Sequence, residues 1–251
     1  MKITDFKVMT FDVIGTLIDF ETGVLDAVRS LGGEKAAKAS DDEIFEPYKR
    51  GRDKHYGRSS VAMKDVYLSL AAECGFGSDA TTADAFQLSV FRWPAFADSA
   101  EALRRLRRNF RLVAMTNGDR TAFSAYAETL GNPFHDSVTS DDTGCSKPNP
   151  QFFAFNKGRQ SAFGFRQADI LHVAQSQHHD IGIAKELGYT VCWIERRQGM
   201  NGFGGTPAPK VMTSPDFHFA TLGQLADAVD AELASRERIG PASGPLLGPM
   251  L

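Results

Sequence analysis

The sequence predicts an α/β fold, a parallel sheet covered by helices on both faces. Three observations carry that expectation. Short, mainly apolar runs recur at 6–13 (FKVMTFDV), 112–117 (LVAMTN), 170–175 (ILHVAQ) and 190–196 (TVCWIER). Runs of that length, without polar alternation, suit strands buried on both sides. Helical stretches separate the later runs, as crossovers between parallel strands require. Residues 20–92 break this rhythm and hold no such run, so a helical domain inserted after the first strand is expected.

In chain order, 6–13 is the first strand. ETGVLDAVRSL, DDEIFEPYKRGRDKHYG, MKDVYLSLAAECG and TADAFQLSVFRW then read as helices. The chain returns at 93–96 (WPAF), where Pro94 disfavours helix in the residue before it; Trp93 and Phe96 read as packing residues. A helix follows at 99–109. In it Leu103, Leu106 and Phe110 recur at helical spacing, which leaves Arg104, Arg105, Arg107 and Arg108 on the wet face. HDIGIAKELG is a short helix between the strands 170–175 and 190–196, with Gly188 a natural C′ residue. The Gly- and Pro-rich segment 199–217 is a long loop, of a kind that often carries function. Residues 222–236 form the last helix. The expected division is a core of 1–19 and 93–240, an inserted helical cap of 20–92, and a poorly ordered tail of 241–251.

The chain has 251 residues, 42% hydrophobic and 24% charged, enough to bury a large core. A net charge of −3 gives no reason to expect a nucleic acid or an anionic membrane as partner. No apolar run approaches the ~20 residues that span a bilayer. Cys74, Cys145 and Cys192 have no CxxC spacing, and the first residues lack a basic-then-apolar signal pattern. A reduced, cytoplasmic protein is therefore expected.

Ligands of open parallel sheets bind beyond the carboxyl ends of the strands. The chemistry-bearing residues gather there. Asp12 ends the first strand, with Gly15 and Thr16 in the turn. Thr116 and Asn117 end the second. Lys147 lies in CSKPNPQFF before a helix. Gln175 and Ser176 end the strand at 170–175, and Asp180 follows near the next helix start. A nucleophilic carboxylate, a hydroxyl and amide pair, a lysine and a second acid thus converge from four segments.

FDVIGTL, MTNG, SKPNP and the HHD of VAQSQHHD resemble, in chain order, the four motifs of the haloacid dehalogenase superfamily. The resemblance covers nearly the whole chain. It implies a Rossmann-like, doubly wound core with a helical cap, and Asp12 as nucleophile. Most of that superfamily are magnesium-dependent phosphatases, in which an aspartate two residues on protonates the leaving alcohol. Here Ile14 stands instead. A halide needs no proton to depart, so the change suits carbon–halogen displacement. The L-2-haloacid dehalogenase branch is the most similar, though it commonly has tyrosine there. RWPAFADSAEAL, DILHVAQSQHHD, WIERRQG and PDFHF also look like relatives that open the strained ring of L-azetidine-2-carboxylate.

What the resemblance implies is a hydrolase of small 2-substituted carboxylic acids. Asp12 attacks C2, an aspartyl ester forms, and water hydrolyses it. Lys147 holds Asp12 ionised, and Asp180, Ser176 and Gln177 position or activate the water. Thr16, Thr116 and Asn117, with backbone N–H groups, bind the substrate and the developing oxyanion. Arg50 best matches the family's cap arginine near the leaving group, with Arg52 the near alternative. His178 and His179 read as partly exposed first-turn residues, with a base beside Asp180 as the other reading. Gln175, Gln177 and Phe153 depart from the usual serine, asparagine and tyrosine. No cofactor is expected; Mg²⁺ enters only if the protein is a phosphatase, held by Asp12, Asp180 and the backbone carbonyl at 14. A degenerate, non-catalytic member is the third alternative, and a homodimer is common in the resembling branch.

Overall fold

A computed structural model describes residues 1–239, and side chains as far as Arg236. The expectation for the tail 241–251 lies outside the described residues. Six strands form one sheet: β1 (Val8–Phe11), β2 (Arg111–Thr116), β3 (Asp136–Thr139), β4 (Ile170–Ala174), β5 (Thr190–Ile194) and β6 (Phe217–Phe219). Their order is β3-β2-β1-β4-β5-β6, and every neighbouring pair is parallel. The four expected strands are present. The sequence reading lacked β3 and β6, the two edge strands, which are short and only partly buried.

Side chains alternate across the sheet, as the period of two requires. Met9, Phe11, Leu112, Ala114, Leu171, Val173, Cys192 and Ile194 belong to one apolar core. Helices α6 (Ser99–Leu106) and α11 (Leu222–Ile239) contribute Leu103, Leu106, Leu225 and Val229 to it. Each such leucine, removed from water, contributes about 1.5–3 kcal/mol. The opposite face carries Val8, Val113, Met115, Ile170, Ala174 and Val191. It packs on Phe152 and Phe153 of α9 (Pro150–Ser161) and Ala184 of α10 (Gly182–Glu186). Thr10, Asp12 and His172 share this second face by their position in the alternation.

Between β1 and β2 the chain makes α1 (Phe20–Leu31), α2 (Gly33–Ala37), α3 (Asp41–Lys54), α4 (Ser59–Cys74) and α5 (Ala80–Ser89), and no strand of the sheet. Their starts follow local chemistry. The Asp19 carboxylate accepts from Thr22 N at 3.1 Å, and Ser40 and Glu43 cap α3 reciprocally. Gly75, with φ +67°, ends α4 in the left-handed region that side chains resist. Tyr67 and Phe86 stack at 4.8 Å between α4 and α5. The first apolar core continues through Phe20, Val24, Phe45 and Met63, joining these helices to the sheet.

The outgoing and returning passes of the chain lie side by side. Asp19 N donates to Pro94 O at 2.8 Å, and Phe96 N to Leu17 O at 3.0 Å. Trp93 is buried there as expected, while Phe96 is half-buried beneath the Arg196 guanidinium, 4.2 Å away. The remaining helices are α7 (Arg120–Thr129) and α8 (Ser140–Thr143). Among the described residues no helix is long and apolar enough to cross a membrane.

Candidate active site

β1 lies at the middle of the sheet. The chain steps from it outward to β2 and β3, then crosses to β4 on its other side. That reversal leaves a crevice at the carboxyl end of β1, where open α/β sheets bind ligands. Asp12 stands there, 6% exposed, its N–H on Val173 O at 3.0 Å. Gly15, with φ +94°, turns the chain back. Thr16 then donates its hydroxyl to Asp12 Oδ2 at 2.6 Å and accepts from Gln175 N at 2.8 Å. One threonine ties the ends of β1 and β4 together and fixes one oxygen of the carboxylate.

Lys147 fixes the other. Its Nζ contacts Asp12 Oδ1 at 2.9 Å, Asp180 Oδ1 at 2.6 Å and Met115 O at 2.7 Å, so all three ammonium donors are engaged. Asn117 holds the lysine's backbone by both amide atoms. Its Oδ1 accepts from Lys147 N at 2.7 Å, and its Nδ2 donates to Lys147 O at 2.9 Å. Asp180 sits on a π-helical turn, Gln177–Ile181, capped by the Ser176 hydroxyl, which accepts from His179 N at 2.9 Å. Single π turns occur often at functional sites. Asp180 Oδ1 also accepts from His172 Nε2 at 3.0 Å, while Oδ2 is buried without a partner among the described residues.

Burial raises the Asp12 carboxyl above its ordinary value, against the opposing pull of Lys147. For Asp180 burial also acts upward, but Lys147 and His172 outweigh it and hold the carboxyl at about 2. Burial disfavours the Lys147 ammonium, and the two carboxylates more than restore it, raising its pKa. Burial lowers His179 to about 4, so its ring is neutral at neutral pH.

These groups open into a cavity of about 330 Å³. Asp12, Asp180, Ser176 and His179 line its floor, Ile14, Phe20 and Tyr48 its apolar wall. Arg52 reaches in from α3, and among the described residues no carboxylate lies within ion-pair distance of it. Gly205, Thr206 and Pro207 of the loop 199–217 close another side. Glu21 anchors that loop by pairing with Arg197 and by accepting from Gly205 N at 2.9 Å.

Not every expected residue faces the cavity. Arg50 is corrected: its side chain is 56% exposed and pairs with Glu73 on the outer side of α3 and α4. Two residues along a helix is a rotation of about 200°, so Arg50 and Arg52 cannot share a face. Gln177 is corrected too. Its Nε2 donates to Thr213 O at 3.3 Å and its Oε1 accepts from Thr213 N at 3.0 Å, so it fastens the loop instead of lining the cavity. Thr116 is fully buried, its hydroxyl accepting from Gly118 N at 3.0 Å, a turn-forming bond outside the cavity wall. Asn117 lines the cavity, but its amide is committed to Lys147. Phe153 packs edge-on against His172 with centroids 5.4 Å apart. His178 and His179 are both half-buried, and only His179 lines the cavity.

Sequence reasoning missed His172 and Tyr48, and marked the loop 199–217 without singling out its residues 205–207. His172 did leave a signal: it is an ionisable side chain inside a fully buried strand, where it needs a partner. The other two are placed by tertiary packing alone. As a cation site the arrangement is poor. Lys147 Nζ bridges Asp12 Oδ1 and Asp180 Oδ1, the two side chains a cation would share, and brings a positive charge there. Among the described residues no three or more His, Cys, Asp or Glu converge as a metal set would.

Known proteins share this framework. An (S)-2-haloacid dehalogenase of Pseudomonas fluorescens is 25% identical over 195 residues, covering 75% of this chain and 84% of that one. A 5-amino-6-(5-phospho-D-ribitylamino)uracil phosphatase, YigB of Escherichia coli, is 27% identical over 218 residues, covering 76% and 84%. The solved structure of the L-2-haloacid dehalogenase from Xanthobacter autotrophicus superposes with a TM-score of 0.71 at 19% identity, covering 90% of this chain and 99% of that one. The family model of haloacid dehalogenase-like hydrolases matches residues 6–188, a span that takes in Asp12, Lys147 and Asp180 together. With Asp12, Lys147 and Asp180 all inside that match, the chain belongs to the haloacid dehalogenase-like hydrolases.

Proposed function

We propose that this protein hydrolyses small 2-substituted carboxylic acids, 2-haloacids first, through an ester on Asp12. Ile14 carries this reading. An aliphatic side chain lines the cavity two residues beyond the nucleophile, where an acid able to protonate a leaving alcohol would stand. Halide is a weak base and departs without that proton.

Asp12 attacks C2 from the side opposite the leaving group. A carbon–oxygen bond forms as the carbon–halogen bond breaks, and the halide leaves with the electron pair. Arg52 offers an uncompensated positive charge inside the cavity for the anion. The N–H of Ile14, which lines the cavity, has no acceptor among the described residues and suits the substrate carboxylate or the oxyanion. Water then bonds to the ester carbonyl carbon while one of its protons passes to Asp180 Oδ2. Collapse expels the 2-hydroxy acid alkoxide, which takes that proton. Asp12, left as a carboxylic acid, loses its own proton to solvent beside Lys147.

No step requires a metal or an organic cofactor, since Lys147 supplies the positive charge between the two carboxylates. A phosphatase would need a proton donor in place of Ile14. Ring opening of azetidine-2-carboxylate would need no acid at position 14 either, because its ring nitrogen is already protonated at neutral pH, and the substrate panel decides between the two.

The test is ion chromatography on a panel of 2-haloacids, azetidine-2-carboxylate and phosphomonoesters, with and without chelator. Halide release that survives chelator and vanishes in Asp12→Ala is expected. Phosphate release restored by magnesium would replace this reading. In ¹⁸O water, label should enter the peptide containing Asp12 during repeated turnover, because water attacks that carboxyl carbon.

A further inference from the structure

Thr10 and His172 form a fully buried polar pair within two otherwise apolar strands. They are Cα partners across β1 and β4, on the sheet face that also carries Asp12. Thr10 Oγ1 lies 2.9 Å from His172 Nδ1, and His172 Nε2 lies 3.0 Å from Asp180 Oδ1. An ionised carboxylate only accepts, so Nε2 carries a proton. Nδ1 then faces the Thr10 hydroxyl, which fixes the orientation of the ring. Phe153 closes another side of the ring, edge-on. Packing alone gives no reason for these residues, because a valine and a phenylalanine would fill the same face without a desolvated hydroxyl and imidazole.

We propose that His172 is a positioning residue for ester hydrolysis: it clamps Asp180 by Oδ1 and leaves Oδ2 directed to the water. This rests on the ester reading above. Lys147 also holds Asp180 Oδ1, but the same ammonium is shared with Asp12. When Asp12 becomes a neutral ester, Lys147 loses one of its two counter-charges and its geometry is free to change. His172, seated on β4 and oriented by Thr10, is unaffected by that change. Asp180 Oδ2, buried and unpartnered, is the oxygen this clamp leaves available.

Rapid-quench turnover of L-2-chloropropionate with mass analysis of the Asp12 peptide separates the two chemical steps. In His172→Phe, ester formation should stay within about twofold of the parent, while ester hydrolysis slows by about 10- to 100-fold, the scale of one charge-assisted hydrogen bond. Ester-bearing peptide should then accumulate. His172→Gln, which keeps an N–H donor near the Nε2 position, should recover most of the rate. Thr10→Val, a milder change, should accumulate ester to a smaller extent and serves if His172→Phe does not fold. Equal slowing of both steps, or no accumulation in any variant while the parent forms ester, overturns the proposal. A parent that forms no ester with any substrate refutes the Asp12 reading instead. Nitrogen-15 NMR then still decides the clamp: the Nε2–H tautomer of His172 supports it, and the Nδ1–H tautomer sinks it.

Discussion

Arg50 and Arg52 differ in what surrounds them, not in chemistry. Arg50 answers to Glu73 in solvent, where an exposed ion pair contributes little. Arg52 lines the cavity with no acid against it. Arg52→Ala should therefore lower kcat/KM for a 2-haloacid by about 10²-fold, roughly the loss of one charge-assisted contact in the transition state. Arg50→Ala should change it by less than about twofold; steady-state kinetics of the two variants checks both. His179 gives a pH prediction. Its folded pKa of about 4 lies below the ordinary 6.5, so the unfolded chain binds the proton first. Stability is then lost as pH falls from 6.5 towards 4. Because the ring borders the cavity, the loss assigned to it should be about 1–2 kcal/mol. Urea unfolding at pH 7 and pH 4.5 should show a smaller drop in His179→Phe than in the parent.

At the scale of elements, α1 depends on a close approach to the returning chain. A Cβ on Gly23 would lie 2.2 Å from Trp93 Cδ1, inside any tolerable contact. Trp93 is itself held between Phe20 and Tyr126, with centroids 6.2 Å and 6.3 Å away. Gly23→Ala should cost about 1–3 kcal/mol, as overpacking does, read as a lower urea midpoint with an unchanged slope. The loop 199–217 is a wall of the cavity because Glu21 grips it near Gly205 and Gln177 grips it at Thr213. Edge strands β3 and β6 join the sheet through backbone bonds to β2 and β5. Their sequences, DSVT and FHF, carry too short a pattern to announce a strand.

Across the whole molecule, the helices between β1 and β2 are fastened to the sheet end by a few polar contacts at the cavity mouth. Asp119 accepts from Ser60 N at 2.6 Å and Ser59 Oγ at 3.1 Å at the start of α4, and from Thr121 N and Ala122 N, both at 3.0 Å, at the start of α7. Arg58 pairs with Asp141 at 2.9 Å nearby. Burial opposes the charge on Asp119, but these hydrogen bonds prevail and lower its pKa. Its stabilisation is present above the unfolded carboxylate value and fades as pH falls below it. Asp119→Ala removes a helix cap and an interhelical tie at once. A loss of about 2–3 kcal/mol is expected in urea unfolding at pH 7. A fall in kcat/KM larger than any fall in kcat should accompany it, because α4 borders the cavity through Ser59.

The four inner strands, Asp12 as the residue at the end of the first, and Lys147 and Asp180 as its companions were legible in the sequence. Buried parallel strands are continuous apolar runs, and polar groups just past them have few reasons to be there but chemistry. The choice of Arg52 over Arg50, the use of Gln177 and Asn117 as fasteners, and the Thr10–His172–Asp180 clamp were decided only in three dimensions. Each turns on which way a side chain faces and what meets it from a segment far along the chain. Local pattern fixes the period of an element, while its rotation and its neighbours are set by packing between elements.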